Sequence, residues 1–111
     1  METLQFRFGQ GSRPLAGAAQ LVGVVGSGNL EVLIEAVPLD GACEIDVHTA
    51  AVGFGATWGA VMDDFHARWS LADARISIND NGATPAVVSL RLDQAVESLI
   101  SLTAPSTGGA P

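Results

Sequence analysis

Few side chains in this 111-residue sequence have the types and spacing for chemistry, and Ser27 is the first of them. It stands between Gly26 and Gly28, followed by Asn29, so a primary hydroxyl sits where neither neighbour carries a side chain to hinder an approaching enzyme. Such a hydroxyl suits a modifying enzyme as an acceptor. The same string is also ordinary turn composition, since serine between glycines is common at hairpin tips. With His48 and one of the acids, Ser27 has the composition of a nucleophile, a base and an orienting carboxylate. The spacing does not support a nucleophile elbow. Gly-x-Ser-x-Gly would need glycine at Val25 and Asn29, and a strand pattern follows where that motif requires a helix.

Other chemistries fail more quickly. Gly26-Ser27-Gly28 begins like a dinucleotide-binding fingerprint, but the third glycine would fall at Glu31. The only histidines are His48 and His66, and no Cys-x-x-Cys pair occurs, so no zinc-ligand pattern is present. His66, on a helical pattern, reads as a solvated or boundary residue. Cys43 falls on the inward side of an alternating strand, where cysteine acts as a small hydrophobe and not as a reactive thiolate. Trp58, Phe65 and Trp69 form a helical stripe that reads as core, with Trp58 close enough to the helix start to reach a surface.

The elements that must position these residues follow from periodicity. Leu4, Phe6 and Phe8 alternate with Gln5 and Arg7, as in a strand with one buried face. Gly9 to Gly17 is rich in turn formers and reads as a loop. Two β-prone runs, Ala19 to Val25 and Leu30 to Val37, are separated by Gly26-Ser27-Gly28-Asn29 and predict a hairpin with Ser27 at its tip. The second run turns Leu30, Val32 and Ile34 to one side and Glu31, Leu33 and Glu35 to the other. After a turn at Pro38 to Gly41, Cys43, Ile45 and Val47 alternate with Glu44, Asp46 and His48.

Beyond Gly53-Phe54-Gly55 the period lengthens to 3.6. Trp58, Val61, Met62, Phe65 and Trp69 mark one face of a helix, with Asp64 and Arg68 able to pair on its wet side. Ile76 and Ile78 belong to a short inward-facing strand ended by Asn79-Asp80-Asn81-Gly82. Thr84-Pro85 announces a second helix, with threonine as N-cap and proline in the first turn. Its buried stripe is Val88, Leu92, Ala95, Val96 and Leu99. The expected fold is α+β in two layers. A mainly antiparallel sheet carries two helices on one face, in the order ββββαβα, and Glu31, Glu35, Glu44, Asp46 and His48 face solvent or a partner. Residues 1–102 form the expected domain, and 103–111 a disordered tail.

Composition bounds the function. A chain of this length is one domain, with room for one core but not for a separate cofactor domain. Hydrophobic residues make up 48% and charged residues 15%. With a mean hydropathy of +0.34, these values exclude general disorder. The net charge is -7, and all five basic residues are scattered arginines, so no basic patch is available for nucleic acid. No secretory signal or membrane-spanning run of about 18 apolar residues is evident. One cysteine cannot form an internal disulfide, which fits a reducing cytoplasm.

The sequence resembles the acyl carrier subunit of malonate decarboxylase, its delta subunit, and more distantly the citrate lyase acyl carrier chain. The resemblance rests on Val25-Gly26-Ser27-Gly28-Asn29-Leu30-Glu31-Val32-Leu33-Ile34-Glu35 and on Gly82-Ala83-Thr84-Pro85-Ala86-Val87-Val88-Ser89-Leu90-Arg91-Leu92-Asp93-Gln94. The opening Met1-Glu2-Thr3-Leu4 and Phe6-x-Phe8 are also similar, so it covers roughly residues 1 to 100. Asn29 stands where the family more often has an acid, and Ala86 where it often has glycine. The resemblance implies that Ser27 is joined through a phosphodiester to 2'-(5''-phosphoribosyl)-3'-dephospho-coenzyme A, whose thiol carries acetyl and malonyl thioesters. It further implies a prosthetic-group transferase that loads the arm, a transferase subunit that exchanges acetyl for malonyl, and decarboxylase subunits that release carbon dioxide. The chain itself would be a non-catalytic carrier.

Ordinary fatty-acid carriers differ in being helical bundles with an Asp-Ser-Leu attachment motif. The nearest strings here, Glu97-Ser98-Leu99 and Trp69-Ser70-Leu71, fall within or at the end of expected helices and are rejected as attachment sites. Two alternatives remain at this level: an acidic protein-interaction module using the Glu31 and Glu35 face, and a small Ser27/His48 hydrolase.

Overall fold

The computed structural model describes residues 2–14 and 29–103, the side chains of 14 and 98–103 excepted. Strands β1 (Glu2–Phe8), β3 (Leu30–Ala36), β4 (Cys43–Thr49) and β6 (Ala74–Asp80) make one sheet in the order β1-β4-β6-β3. A two-residue β2 (Arg13–Pro14) pairs in parallel with β5 (Leu71–Ala72). Helix α1 (Gly55–Trp69) connects β4 to β6, and α2 (Pro85–Thr103) follows β6. The α+β class and the helices on one apolar face are as the alternation predicts. The outer pairings β1/β4 and β3/β6 are antiparallel, while the central β4/β6 pair is parallel. That central pair exists because α1 is a crossover long enough to return the chain in the same direction.

Pairing in register stacks the inward residues into four rungs. Phe6, Ile45, Ile76 and Ile34 form one rung, and Leu4, Val47, Ile78 and Val32 the next. At one end Phe8 aligns with three small residues, Cys43, Ala74 and Ala36. The helices cover these rungs with Trp58, Met62 and Phe65 from α1 and Val88, Leu92, Ala95 and Val96 from α2, all buried. Each fully buried Ile, Leu, Phe or Met contributes about 1.5–3 kcal/mol relative to exposure, so this face supplies most of the stabilisation.

The rung at the other end is polar. Glu2, Thr49, Asp80 and Leu30 align there, and Thr49 and Asp80 are both buried. The Thr49 hydroxyl donates to Asp80 Oδ2 at 2.8 Å, and the Ala83 amide donates to Asp80 Oδ1 at 2.8 Å. Thr49 Oγ1 in turn accepts from the Ala51 amide at 3.1 Å. A carboxylate buried this deeply stays tolerable because both oxygens have donors.

Among the described residues no helix covers the outer face, which reads across as charge. Arg7, Glu44, Arg75 and Glu35 align on one rung, with Glu44 ion-paired to Arg7 and, at 3.2 Å, to Arg75. The expected acidic face is therefore partly neutralised. Such half-exposed pairs are worth about 0–1 kcal/mol each. The Asp64–Arg68 pair forms as its i,i+4 spacing predicts, and Arg68 also reaches Asp93 of α2 at 2.9 Å.

Two local departures from the sequence reading have clear causes. Within the expected loop 9–17, residues 13–14 become β2 because the guanidinium of Arg13 lies over the Trp69 ring, 5.6 Å from its centroid, and the Arg13 amide donates to the Ser70 carbonyl. Gly11 is required beside it, since a Cβ there would stand 2.1 Å from the Leu71 carbonyl oxygen. The strand after α1 is longer than expected and interrupted by Asp73 at φ 55°. Asp73 Oδ1 accepts from the Leu39 and Gly41 amides, each at 2.9 Å, pinning the β3–β4 turn to the start of β6. Helix α2 begins at Pro85 and runs to Thr103, one residue into the expected tail. The strand expected over residues 19–25 and the remainder of that tail, 104–111, lie outside the described residues.

Two outcomes follow. Asp80→Ala strands the Thr49 hydroxyl and the Ala83 amide and should cost about 2–4 kcal/mol in urea denaturation, against about 1–2 kcal/mol for Thr49→Val. Their effects should be non-additive in a double-mutant cycle. The amides of Leu39 and Gly41 hold the Asp73 carboxyl below its usual range. Its contribution is therefore present above the unfolded carboxyl pKa of about 3.9 and lost as pH falls through the lower folded value. Asp73→Asn should flatten that part of the acid limb in a stability-against-pH titration.

Candidate functional site

Ser27 itself lies outside the described residues, so the site is built from the point where its segment rejoins the fold. That point is Asn29, whose carbonyl accepts a 2.7 Å hydrogen bond from the Asn81 amide. The next residue, Leu30, pairs with Asp80 in β3/β6. Ser27 is two residues from Asn29, and the chain advances at most about 3.3–3.6 Å per residue.

The polar rung organises this end of the molecule. Asp80 binds Thr49 and Ala83 through its carboxylate, and its carbonyl accepts from the Ala50 amide at 3.0 Å. The loop after β4, the loop after β6 and the Asn29 anchor thus share one hub. Glu2 extends it by accepting from the Gly53 amide at 3.2 Å. Gly53 at φ +91° and Gly82 at φ +105° make the loop bends that a side chain would strain. Thr84 caps α2 through the Val87 amide at 3.3 Å, as expected from Thr84-Pro85.

Between the two loops and the first turns of the helices lies a groove of about 440 Å³. Phe54, Thr57, Trp58 and Val61 line one side, with Ala83 and Val88 opposite. Asp80 and Gly82 also border it, so the groove opens beside the Asn29 anchor. Trp58 belongs to the core and to this groove at once, which accords with its place at the helix start. Phe54 and Val52 stand exposed at 53% and 68%.

The other candidates occupy different places. Cys43 is fully buried at the small-residue rung, six residues along β4 from Thr49 and so about 20 Å away. Burial first, and the Glu44 charge second, push its thiol up to about 12, so almost no thiolate exists at neutral pH. His48 lies on the outer face, with Nδ1 3.3 Å from the Thr3 hydroxyl, whereas the groove lies on the helix side. His66 stacks on Phe8 with ring centroids 4.4 Å apart. Among the described residues no group of three or more His, Cys, Asp or Glu could hold a metal ion. No helix among them is long and apolar enough to cross a membrane.

The Thr49–Asp80 hub was missed by motif reasoning, which treated Asp80 as turn composition. Its signal was present in the alternation: Thr49 continues the inward series 43, 45, 47, and Asp80 the series 74, 76, 78.

The family model for the malonate decarboxylase delta subunit (MdcD) matches residues 18–99. The malonate decarboxylase acyl carrier protein of Xanthomonas axonopodis pv. citri (strain 306) is 66% identical over 100 residues, covering 89% of this chain and 95% of that protein. Its counterpart in Stenotrophomonas maltophilia (strain R551-3) is 56% identical over 112 residues, covering both chains completely. A chain in the crystal structure of a Pseudomonas malonate decarboxylase hetero-tetramer in complex with malonate superposes with a TM-score of 0.69 at 39% identity, over 89% of this chain and 99% of that one. With the match spanning most of the sequence, including Ser27 and both loops of the groove, the chain belongs to the malonate decarboxylase delta subunit family.

Proposed function

We propose that this chain is the acyl carrier of a malonate decarboxylase and that Ser27 bears its prosthetic arm. The observation that carries the reading is the family match across residues 18–99, which includes the Gly26-Ser27-Gly28 string. The arm is 2'-(5''-phosphoribosyl)-3'-dephospho-coenzyme A, joined to the Ser27 hydroxyl by a phosphodiester. When attached it supplies a thiol that holds acetyl and malonyl groups as thioesters, which favour loss of carbon dioxide more than a free carboxylate does.

The described residues fit a thiol brought from outside. The chain's one cysteine is buried, protonated and about 20 Å from the anchor, so it has no thiolate to offer. Gly82, at the anchor's edge, has open space where a Cβ would stand, leaving room for an approaching enzyme.

The work of this chain is positional. Asp80 and Asn81 hold the tether at one end of the sheet, and a rigid core keeps that end fixed relative to the rest of the domain. Tethering raises the concentration of the carried group at several active sites without any new contact. The acids, bases and oxyanion donors of the reaction belong to transferase and decarboxylase subunits, and a separate prosthetic-group transferase loads Ser27. The setting is the cytoplasm, where an unpaired cysteine stays reduced. The acidic-module alternative is weakened because Glu44 is already committed to Arg7 and Arg75, and Glu31 accepts from Asn79.

Intact mass of the chain co-expressed with its complex should show one added arm. Ser27→Ala should remove both the adduct and decarboxylation, and an unmodified Ser27 in an active complex would refute the proposal. Cys43→Ala should leave adduct and turnover in place, at a stability cost of about 1 kcal/mol from the small cavity. His48→Ala should likewise retain turnover; its loss would favour the hydrolase alternative.

A further inference from the structure

Strand β1 lies at one edge of the sheet. Among the described residues it pairs with β4 alone, in unbroken register from Glu2 to Phe8, and it contains no proline. Its inward side chains Leu4, Phe6 and Phe8 are only partly buried, whereas Val47, Ile45 and Cys43 beside them on β4 are fully buried. The other edge differs, since Leu30, Val32 and Ile34 of β3 are all buried. Pro14 pairs with Ala72 of β5 and Asn29 bonds to Asn81 at the end of β6, so the residues that flank 15–28 both stand across β4 from the β1 edge. A flat, apolar edge is a template for another strand, and proteins commonly guard one with a charge. The charge available here is Arg7, and Glu44 holds its guanidinium back over β4.

The spacing along β1 fits its own sequence as the partner. Strand faces alternate with a period of two, so an antiparallel copy keeps the apolar side chains together only in registers that match inward to inward. Centred on Phe6, two copies set Phe6 against Phe6, Leu4 against Phe8 and, on the outer face, Gln5 against Arg7. Every inward pair is then apolar. Centring on Gln5 instead sets Glu2 against Phe8, and centring on Leu4 sets Glu2 against Phe6 and leaves Phe8 beyond the pairing. The Phe6-centred register therefore covers the apolar edge that the single chain leaves half-exposed.

Helix α1 supplies an independent match. It runs alongside β1 in the same direction: a Cβ at Gly55 would stand 3.9 Å from Leu4 Cδ2, one at Gly59 would stand 3.8 Å from Phe6 Cε1, and His66 stacks on Phe8. Arg68 and Trp69 reach Asp93 of α2 on one flank of the helix, and the exposed Ala56, Ala60 and Asp63 lie on the other. A two-fold axis through Phe6 sets the copy's α1 antiparallel to the first, which turns Asp63 toward the copy's first helical turn. That turn contains no acidic residue and has no side-chain cap, so its amides favour a carboxylate nearby. We propose that the free chain forms a two-fold dimer in which the β1 edges of two copies pair antiparallel about Phe6 and join the two sheets. The dimer goes beyond the carrier reading and does not depend on what Ser27 holds.

Sedimentation of the isolated full chain over a concentration series tests this. Its mass should rise from one chain to two between about 1 μM and 1 mM. Gln5→Arg sets like charges against Arg7 of the copy, while Asp46, paired with position 5 on β4, receives the new charge within the chain. Asp63→Arg turns a cation toward the copy's first helical turn. Both positions are exposed, so these variants should melt close to the unsubstituted chain. Because the two-fold axis repeats each contact, each should weaken the dimer about tenfold. Gln5→Glu, of opposite charge, should leave the dimer at least as tight. Val52→Asp and Leu90→Asp, at exposed residues away from β1, should leave it unchanged. If Asp63→Arg alters the melt, Gln5→Arg against Gln5→Glu carries the readout. A chain that stays monomeric throughout the series overturns the proposal. So does a dimer whose affinity is undiminished in folded Gln5→Arg, or one that Val52→Asp or Leu90→Asp abolishes, since the contact would then lie elsewhere. A monomer that still acquires its arm in the complex defeats the dimer alone and leaves the carrier reading in place.

Discussion

The hydrogen bond from Thr49 to Asp80 joins the parts of the molecule that matter for presentation. It sits at the end of the central parallel pair, where β4 departs toward α1 and β6 toward α2. A carboxylate in this position has two oxygens to satisfy, and the structure satisfies one from each neighbouring loop or strand, with Ala83 supplying the second donor. The backbone of the same residue receives Ala50. Both loops are therefore held by a group that is costly to leave unpaired, which gives the groove its shape and the Asn29 anchor a fixed neighbour.

Below that rung the two ends of the sheet differ in character. The helices bury one face of the sheet, and the rungs shrink toward Cys43, Ala74 and Ala36, where α1 ends and β2 and β5 close the edge. The thiol in that half is buried and protonated. The opposite end has the glycine bends, the apolar groove and the Asn29 anchor.

Much of this was legible along the chain because side-chain alternation is local. The inward faces of β1, β3 and β4 follow from Leu4, Phe6 and Phe8, from Leu30, Val32 and Ile34, and from Cys43, Ile45 and Val47, and each is inward in the structure. The stripe of α1 and the Thr84-Pro85 start of α2 were legible for the same reason. The hub was less so. Thr49 and Asp80 continue inward series but are polar, and a polar residue at a strand end looks the same whether it faces water or a partner 31 residues away. Arg13 posed a similar difficulty, since its loop becomes a strand only because Trp69 and Ser70 stand opposite.

The sequence by itself determined the two-layer α+β class, the composition of the core and, through two separated motifs, the family and its candidate serine. Those properties depend on periodicity and residue identity over short windows, which need no knowledge of neighbours. Only the tertiary structure decided that β4 and β6 run parallel and that Asp80 ties two loops to the Asn29 anchor. It also decided that the acidic strand face is partly neutralised by Arg7 and Arg75, and that a groove opens beside the tether. Each of these requires residues far apart in the chain to meet, and strand order, which sets such meetings, is governed by how the whole apolar surface is buried at once.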